Sequence, residues 1–198
     1  FIGAAATEPE AFVSAVPIRT VEDLKGVKLR APEGMVYEIF SKAGASPVAL
    51  PGSEIFTALD KGVVEAADNT VFATNQALGM NDIAHYPLYP GFHSLPLIDI
   101  SINKGVWDEL PDDLKEILNA SVDEFILKHI YSVRMLDAEA VTKAKENPEI
   151  EIINWSPEER AKFRRIAQDE WKVWAEKSDM TQKYYDTVVK YLKARNLL

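Results

Sequence analysis

Gly26-Val27-Lys28-Leu29-Arg30-Ala31-Pro32 is a short strand bracketed by a turn residue and a residue that cannot join a ladder, and its continuation settles the fold. Upstream, Thr20 to Gly26 reads as a single helical turn, with Thr20 and Asp23 in capping positions and Gly26 as its stop. Arg30 therefore closes the strand Val27 to Arg30 at a strand-to-loop junction. Downstream, Glu33 to Ala43 carries Met35, Val36, Ile39 and Phe40 at the spacing of one helix face, Gly44 ends it, and Pro47 to Leu50 is strand-like again. Strand, helix and strand make a β-α-β unit, the signature of a parallel sheet. The pattern then repeats: Ser53 is placed to cap a helix that turns Ile55, Phe56, Leu59 and Val63 inward and stops at Gly62. Val63 to Ala67 forms a third strand running into Asp68 and Asn69.

The ends of strands in an open α/β sheet are where ligands collect, and a guanidinium there grips a carboxylate through two parallel hydrogen bonds. Arg30 is thus the leading candidate for holding an anion, with a surface ion pair to Glu33 as the plain alternative. Asn69 has the same two readings, ligand contact or N-cap of the helix expected over Asn69 to Gly79.

Beyond that helix, Ala84 to Asn103 holds three prolines, Tyr86, Tyr89, Phe92 and His93 before a strand at Leu97 to Ile102, and reads as a crossing between subdomains. A helix of about 35 residues, reaching about 50 Å, is expected from Pro111 to before Pro148. It lines up Leu114, Leu118, Val122, Phe125 or Ile126, His129, Val133 and Leu136 on one face. Glu149 to Trp155 alternates like a strand, and Ser156-Pro157-Glu158-Glu159 opens the first of two closing helices. Phe163, Ile166, Trp171 and Trp174 pattern the first of these, and Tyr184, Val188, Tyr191 and Leu192 the second. The expected division is a ligand-binding α/β lobe over 1–83, a crossing segment over 84–110, a spine helix over 111–148, and a strand with closing helices over 149–198.

The 198 residues are 47% apolar and 27% charged, as in folded globular chains, and 31 acidic against 22 basic residues give a net charge of -9. With no basic stripe, nucleic acid is not an expected partner. The absence of cysteine excludes thiol catalysis, disulfides and thiolate metal sites. No Gly-x-Ser-x-Gly elbow, phosphate loop or zinc spacing is present, and His85, His93 and His129 have no evident serine partner, so no enzyme is expected. His129, with Phe125 and Val133 one turn away, reads as a hydrogen-bonded core histidine, and His93 as a turn residue or a ligand contact. Glu8, Glu10, Asp68 and Asp99 are either surface carboxylates or hard oxygen ligands for a sodium or calcium ion. Phe1-Ile2-Gly3-Ala4 lacks the features of a signal peptide and reads like the middle of a strand, so upstream sequence is expected.

Thr20 to Arg30, Gly44-Ala45-Ser46-Pro47-Val48, Glu54 with Ala58-Leu59, Gly62 to Asn69, Tyr89-Pro90-Gly91-Phe92-His93 and Trp107-Asp108-Glu109-Leu110-Pro111 together resemble the solute-binding proteins of tripartite ATP-independent periplasmic (TRAP) transporters. The resemblance implies a two-lobed α/β fold of periplasmic binding protein type, with hinge strands and a long spine helix. Here that would be one complete lobe plus part of the other. It implies periplasmic capture of a small organic carboxylate and its delivery to membrane permease subunits, with no chemistry. Arg30 would form the salt bridge, and Asp68, Asn69, Phe92 and His93 would line the site. The Tyr-Pro-Gly-aromatic segment resembles the branch for 2-oxo and 2-hydroxy acids, in which Asp68, here with Glu10, would help hold a sodium or calcium ion bridging to the ligand. That branch's tryptophan after the acid is replaced by Asn69, as in sugar-acid binders, so both ligand classes stay open. A homodimer is a further expected assembly. A ligand-sensing module for a signalling receptor, or an enzyme using Asp68 or His93 as acid-base, are the alternatives.

Overall fold

The computed structural model describes residues 1–195 and 197–198. In chain order they form β1 (Gly3–Ala6), β2 (Ala11–Ser14), β3 (Lys28–Arg30), α1 (Met35–Lys42), β4 (Ser46–Val48), α2 (Ile55–Asp60) and β5 (Ala66–Thr70). There follow α3 (Phe72–Ala77), α4 (Met80–Ile83), β6 (Leu97–Ile100), α5 (Lys104–Glu109), α6 (Asp112–Glu146), α7 (Pro157–Ala175) and α8 (Asp179–Ala194). These elements group into two compact units, one of Phe1–Val16 with Asp68–Asn154 and one of Pro17–Ala67 with Trp155–Leu198. The grouping differs from the expected division into 1–83, 84–110, 111–148 and 149–198, because β5 carries the chain from one unit into the other between Ala67 and Asp68.

The unit of 17–67 and 155–198 is the β-α-β segment covered by the closing helices. Lys28, Leu29 and Arg30 of β3 pair in parallel with Ser46, Pro47 and Val48 of β4, and Leu29 and Arg30 pair on the other side with Ala66 and Ala67. A single turn, Glu22–Leu24, forms before β3 and Gly26 follows it with φ 77°, but Val21 and not Thr20 stands at its start and no side chain caps it. The Asp23 carboxylate accepts from the backbone N–H of Arg19 at 2.8 Å and of Thr20 at 2.9 Å. Phe40 on α1 packs against Phe163 on α7 with ring centroids 5.4 Å apart, and Trp155 packs on Phe163 while its indole N–H donates to the Ile18 carbonyl at 2.9 Å. Ser156 caps α7 by accepting from Glu159 N–H at 3.3 Å, with Pro157 in the first turn. Several expectations fail here, and one is the apolar face of α8, where Tyr184 and Tyr191 are exposed and no residue is fully buried. Ser53 caps nothing, because residues Gly52–Glu54 form a tighter single turn that runs straight into α2. Phe56 and Val63 are exposed rather than inward, since a helix as short as Ile55–Asp60 buries only the stripe of Ile55, Ala58 and Leu59.

In the unit of 1–16 and 68–154, β1 pairs antiparallel with β6 and packs on α6, while α3 packs on the far half of α6. Ala11, Phe72, Ala140 and Ala144 form a small core there, with Tyr89 set edge-on against Phe72 at 5.2 Å. The spine helix runs from Asp112 to Glu146, but it buries Asp137, Ala140 and Ala144, and leaves Leu114, Phe125 and Leu136 of the expected apolar face exposed. His129 is only half-buried and stacks on the Phe125 ring at 5.0 Å, so it is not the hydrogen-bonded core residue expected. The strand expected over Glu149 to Trp155 shrinks to one bridge, Ile153 with Leu88. Its partner segment contains Pro87 and Pro90, which have no N–H to give the ladder. Asp68 and Asn69 lie inside β5, which runs on to Thr70, so Asn69 caps no helix.

Candidate functional site

Arg30 ends the central strand of its three-stranded sheet segment, flanked by Val48 and Ala67. The side chain is half-buried, and its Nε donates to the Leu50 carbonyl at 3.0 Å. That bond fixes the guanidinium plane from the backbone, a form of orientation that an ammonium cannot receive.

The other expected site residues gather in the unit of 1–16 and 68–154. Asp68 is buried on β5, and its Oδ1 lies 2.6 Å from Nε2 of His93, whose side chain is also buried. Glu10 Oε2 lies 4.0 Å from the same nitrogen, and the ligating atoms of Glu10, Asp68 and His93 all fall within 4.8 Å of one another. Burial pushes the Glu10 carboxyl above its ordinary value, Asp68 pushes in the same direction, and Ser94 and His93 pull it back. Gly91 makes the gathering possible. A Cβ there would sit 1.9 Å from the Glu10 carbonyl oxygen, so only glycine lets the loop lie against that backbone and carry His93 back to Asp68. Phe12 is packed by both Phe92, at 5.6 Å, and His93, at 5.5 Å.

Glu8 and Asp99, grouped with Glu10 and Asp68 from composition, lie elsewhere. Glu8 accepts from Arg134 Nε at 2.8 Å, and Asp99 is exposed and accepts from Ser101. The paired carboxylates Glu10 and Asp68 suit a hard cation such as sodium or calcium. His93 changes the donor set, but a nitrogen that donates to Asp68 cannot also ligate. In the tautomer that carries its proton on Nε2 it is a supporting partner of Asp68, and in the other tautomer that nitrogen is a third ligating atom beside the two carboxylates.

Asn69 donates from Nδ2 to Asn75 Oδ1 at 2.8 Å. Asn75 is a residue the sequence reading passed over, although an amide among Phe72, Ala73 and Ala77 on a short apolar helix is a signal of buried hydrogen bonding.

The chain matches the family described as bacterial extracellular solute-binding protein, family 7, over residues 10–178, and it belongs to that family. It is 53% identical to a TRAP periplasmic solute-binding protein of Rhodobacter sphaeroides, whose structure it matches with a TM-score of 0.82 over 100% of this chain and 62% of that one. It is 35% identical over 127 residues, 64% of this chain and 35% of the other, to the monocarboxylate 2-oxoacid-binding periplasmic protein of Nostoc sp.. A Chromohalobacter salexigens TRAP solute-binding protein with bound (S)-2-amino-1-propanol shares the fold at a TM-score of 0.86 and 21% identity, over 98% of this chain and 60% of that one. The chain therefore spans less than two thirds of the length of each of these relatives. The class is periplasmic and serves transport, its members binding small molecules and working with membrane permease subunits. Among the described residues no helix is long and apolar enough to cross a membrane.

Proposed function

We propose that the whole protein captures a small organic carboxylate, a 2-oxo or 2-hydroxy acid or a sugar acid, and passes it unchanged to a membrane permease. The observation that carries this reading is Arg30: a half-buried guanidinium at the end of a central parallel strand, its plane set by the Leu50 carbonyl before any ligand arrives. The name of the Nostoc relative supports a carboxylate, whereas the amino alcohol in the Chromohalobacter protein comes with a likeness that speaks for the fold only. Asn69, Phe92 and His93 are the proposed ligand contacts, and Glu10 with Asp68 the proposed holders of a sodium or calcium ion. The cation reading is favoured by two carboxylates packed closely enough that Asp68 helps to raise the Glu10 carboxyl above its ordinary value.

Native mass spectrometry of the full-length protein from cells should show a bound acid, and prolonged incubation should return it with its mass unchanged. Calorimetry should then show Arg30→Ala losing most of the affinity; a variant that binds as the parent does rejects the assignment. Dialysis against a sodium-free chelator buffer should weaken binding, with calcium or sodium restoring it, and Asp68→Asn should abolish that dependence.

A further inference from the structure

Asn75 is 1% exposed, and every polar atom of its side chain is engaged. Its Nδ2 donates to two backbone carbonyls, Ala11 O at 3.1 Å and Thr70 O at 2.9 Å. Carbonyls only accept, so the nitrogen end of this amide has one permitted orientation. Its Oδ1 must then face the remaining neighbour, Asn69, and there it requires a donor. Asn69 can satisfy it only by presenting its own nitrogen, as it does at 2.8 Å. A flip of either amide would set oxygen against oxygen or N–H against N–H, and at Asn75 this would happen out of reach of water. Two main-chain carbonyls therefore dictate, through a relay of two amides, which end of Asn69 is turned away from Asn75: the oxygen. The relay is anchored at its helix as well, because buried Asp137 of α6 accepts from the Ala73 N–H in the first turn of α3 at 2.7 Å.

We propose that Asn75 is a specificity-determining residue that fixes Asn69 as a hydrogen-bond acceptor toward the solute, so that the preferred solute presents a hydroxyl or ammonium donor to Asn69 rather than a bare carbonyl. The proposal rests on the reading of Asn69 as a ligand contact. It narrows the candidate acids to those with a 2-hydroxyl or an equivalent donor, at the expense of 2-oxo acids, whose keto oxygen would meet the Asn69 oxygen.

The test uses the full-length protein and two matched pairs of probes, lactate with pyruvate and gluconate with 2-ketogluconate. In the unliganded protein, side-chain amide exchange followed by NMR should show both Asn75 protons protected and one Asn69 proton protected. An Asn69 amide that exchanges freely at both protons overturns the orientation without any ligand or variant being involved. By calorimetry the hydroxy acid of at least one pair should bind about tenfold or more tighter than its keto partner. Asn75→Leu, which keeps the branched shape and removes the relay, should bring that ratio close to one, as should Asn69→Ala. A ratio that survives Asn75→Leu overturns the role of Asn75. A ratio that survives Asn69→Ala shows that Asn69 does not touch the solute, and overturns the reading on which the proposal rests while leaving the amide orientation standing. A parent protein that binds none of the four acids overturns the carboxylate assignment, and the preference with it.

Discussion

The two units bury different chemistry. Among the described residues, the buried polar side chains Thr7, Ser14, Asp68, Asn75, Asn81 and Asp137 all belong to the unit of 1–16 and 68–154, and Glu170 is the one in the other unit. The second unit is held by aromatic and aliphatic packing around Phe40, Leu29 and Phe163, and it offers a single oriented cation at its sheet end. The first buries several amides and carboxylates, of which Asn75 and Asp137 reach backbone partners 64 positions away, while the buried Asn81 amide has none among the described residues. Burying a polar group costs stability unless its hydrogen bonds are met, so a unit that carries several is built for directed polar contacts as well as for folding. The units thus differ in what they bury: the unit of 17–67 and 155–198 packs mainly apolar side chains, and the unit of 1–16 and 68–154 packs several polar ones.

The contrast is broken most directly in the apolar unit. Phe40→Ala should cost about 3–5 kcal/mol of stability in chemical denaturation, because fully buried Phe40 loses its packing on Phe163 and leaves a void. A loss under about 1 kcal/mol would mean that this core is not close-packed. Next in size, Arg30→Ala should weaken carboxylate binding by about 1.5–3 kcal/mol, roughly 10–150-fold, while the denaturation midpoint stays within about 0.5 kcal/mol of the parent. A large drop in stability with affinity intact would make Arg30 a structural residue.

A smaller effect concerns Asp137. Burial pushes its carboxyl above the ordinary value, backbone N–H donors from Ala73 and Phe72 pull it down, and Glu8 adds to the rise. An acid whose folded value is raised destabilises the fold when ionised. That penalty is therefore relieved as pH falls through the raised folded value toward the unfolded one. Thermal unfolding should accordingly show a gain in stability on going from neutral pH toward the Asp137 titration, and Asp137→Asn should flatten that part of the profile. Arg134 and Tyr89, which face the same cluster, are left in place by this variant. An identical profile in the variant would assign the dependence to another group. The smallest effect is expected at the buried acid of the second unit: Lys42→Ala leaves Glu170 without its half-exposed partner and should cost about 1 kcal/mol in denaturant.

Local pattern was enough to draw much of this molecule. Val27 to Arg30 with its flanking turn, the helix at Met35–Lys42 and the Ser156-Pro157 opening of α7 all follow from spacing and end chemistry within a few residues, so the chain states them directly. Arg30 at its strand end and Phe92 and His93 in a Pro-Gly loop could be proposed for the same reason, whereas Asp68 and Asn69, expected just past a strand, lie inside β5. Periodicity failed where burial depends on what lies opposite. Phe56, Val63 and Leu136 fit an apolar face and are exposed, and Glu149 to Trp155 alternates like a strand but meets a proline-broken partner. The site divides along the same line. The amino-acid sequence by itself determined which residue types could hold an anion, whereas the tertiary structure alone decided that His93 rests on Asp68 beside Glu10 and that Asn75 reaches back to Ala11, 64 positions away, to orient Asn69. Such bonds have no local signature, because a side chain's polarity becomes directional only when the groups that complete its hydrogen bonds are brought to it from elsewhere in the chain.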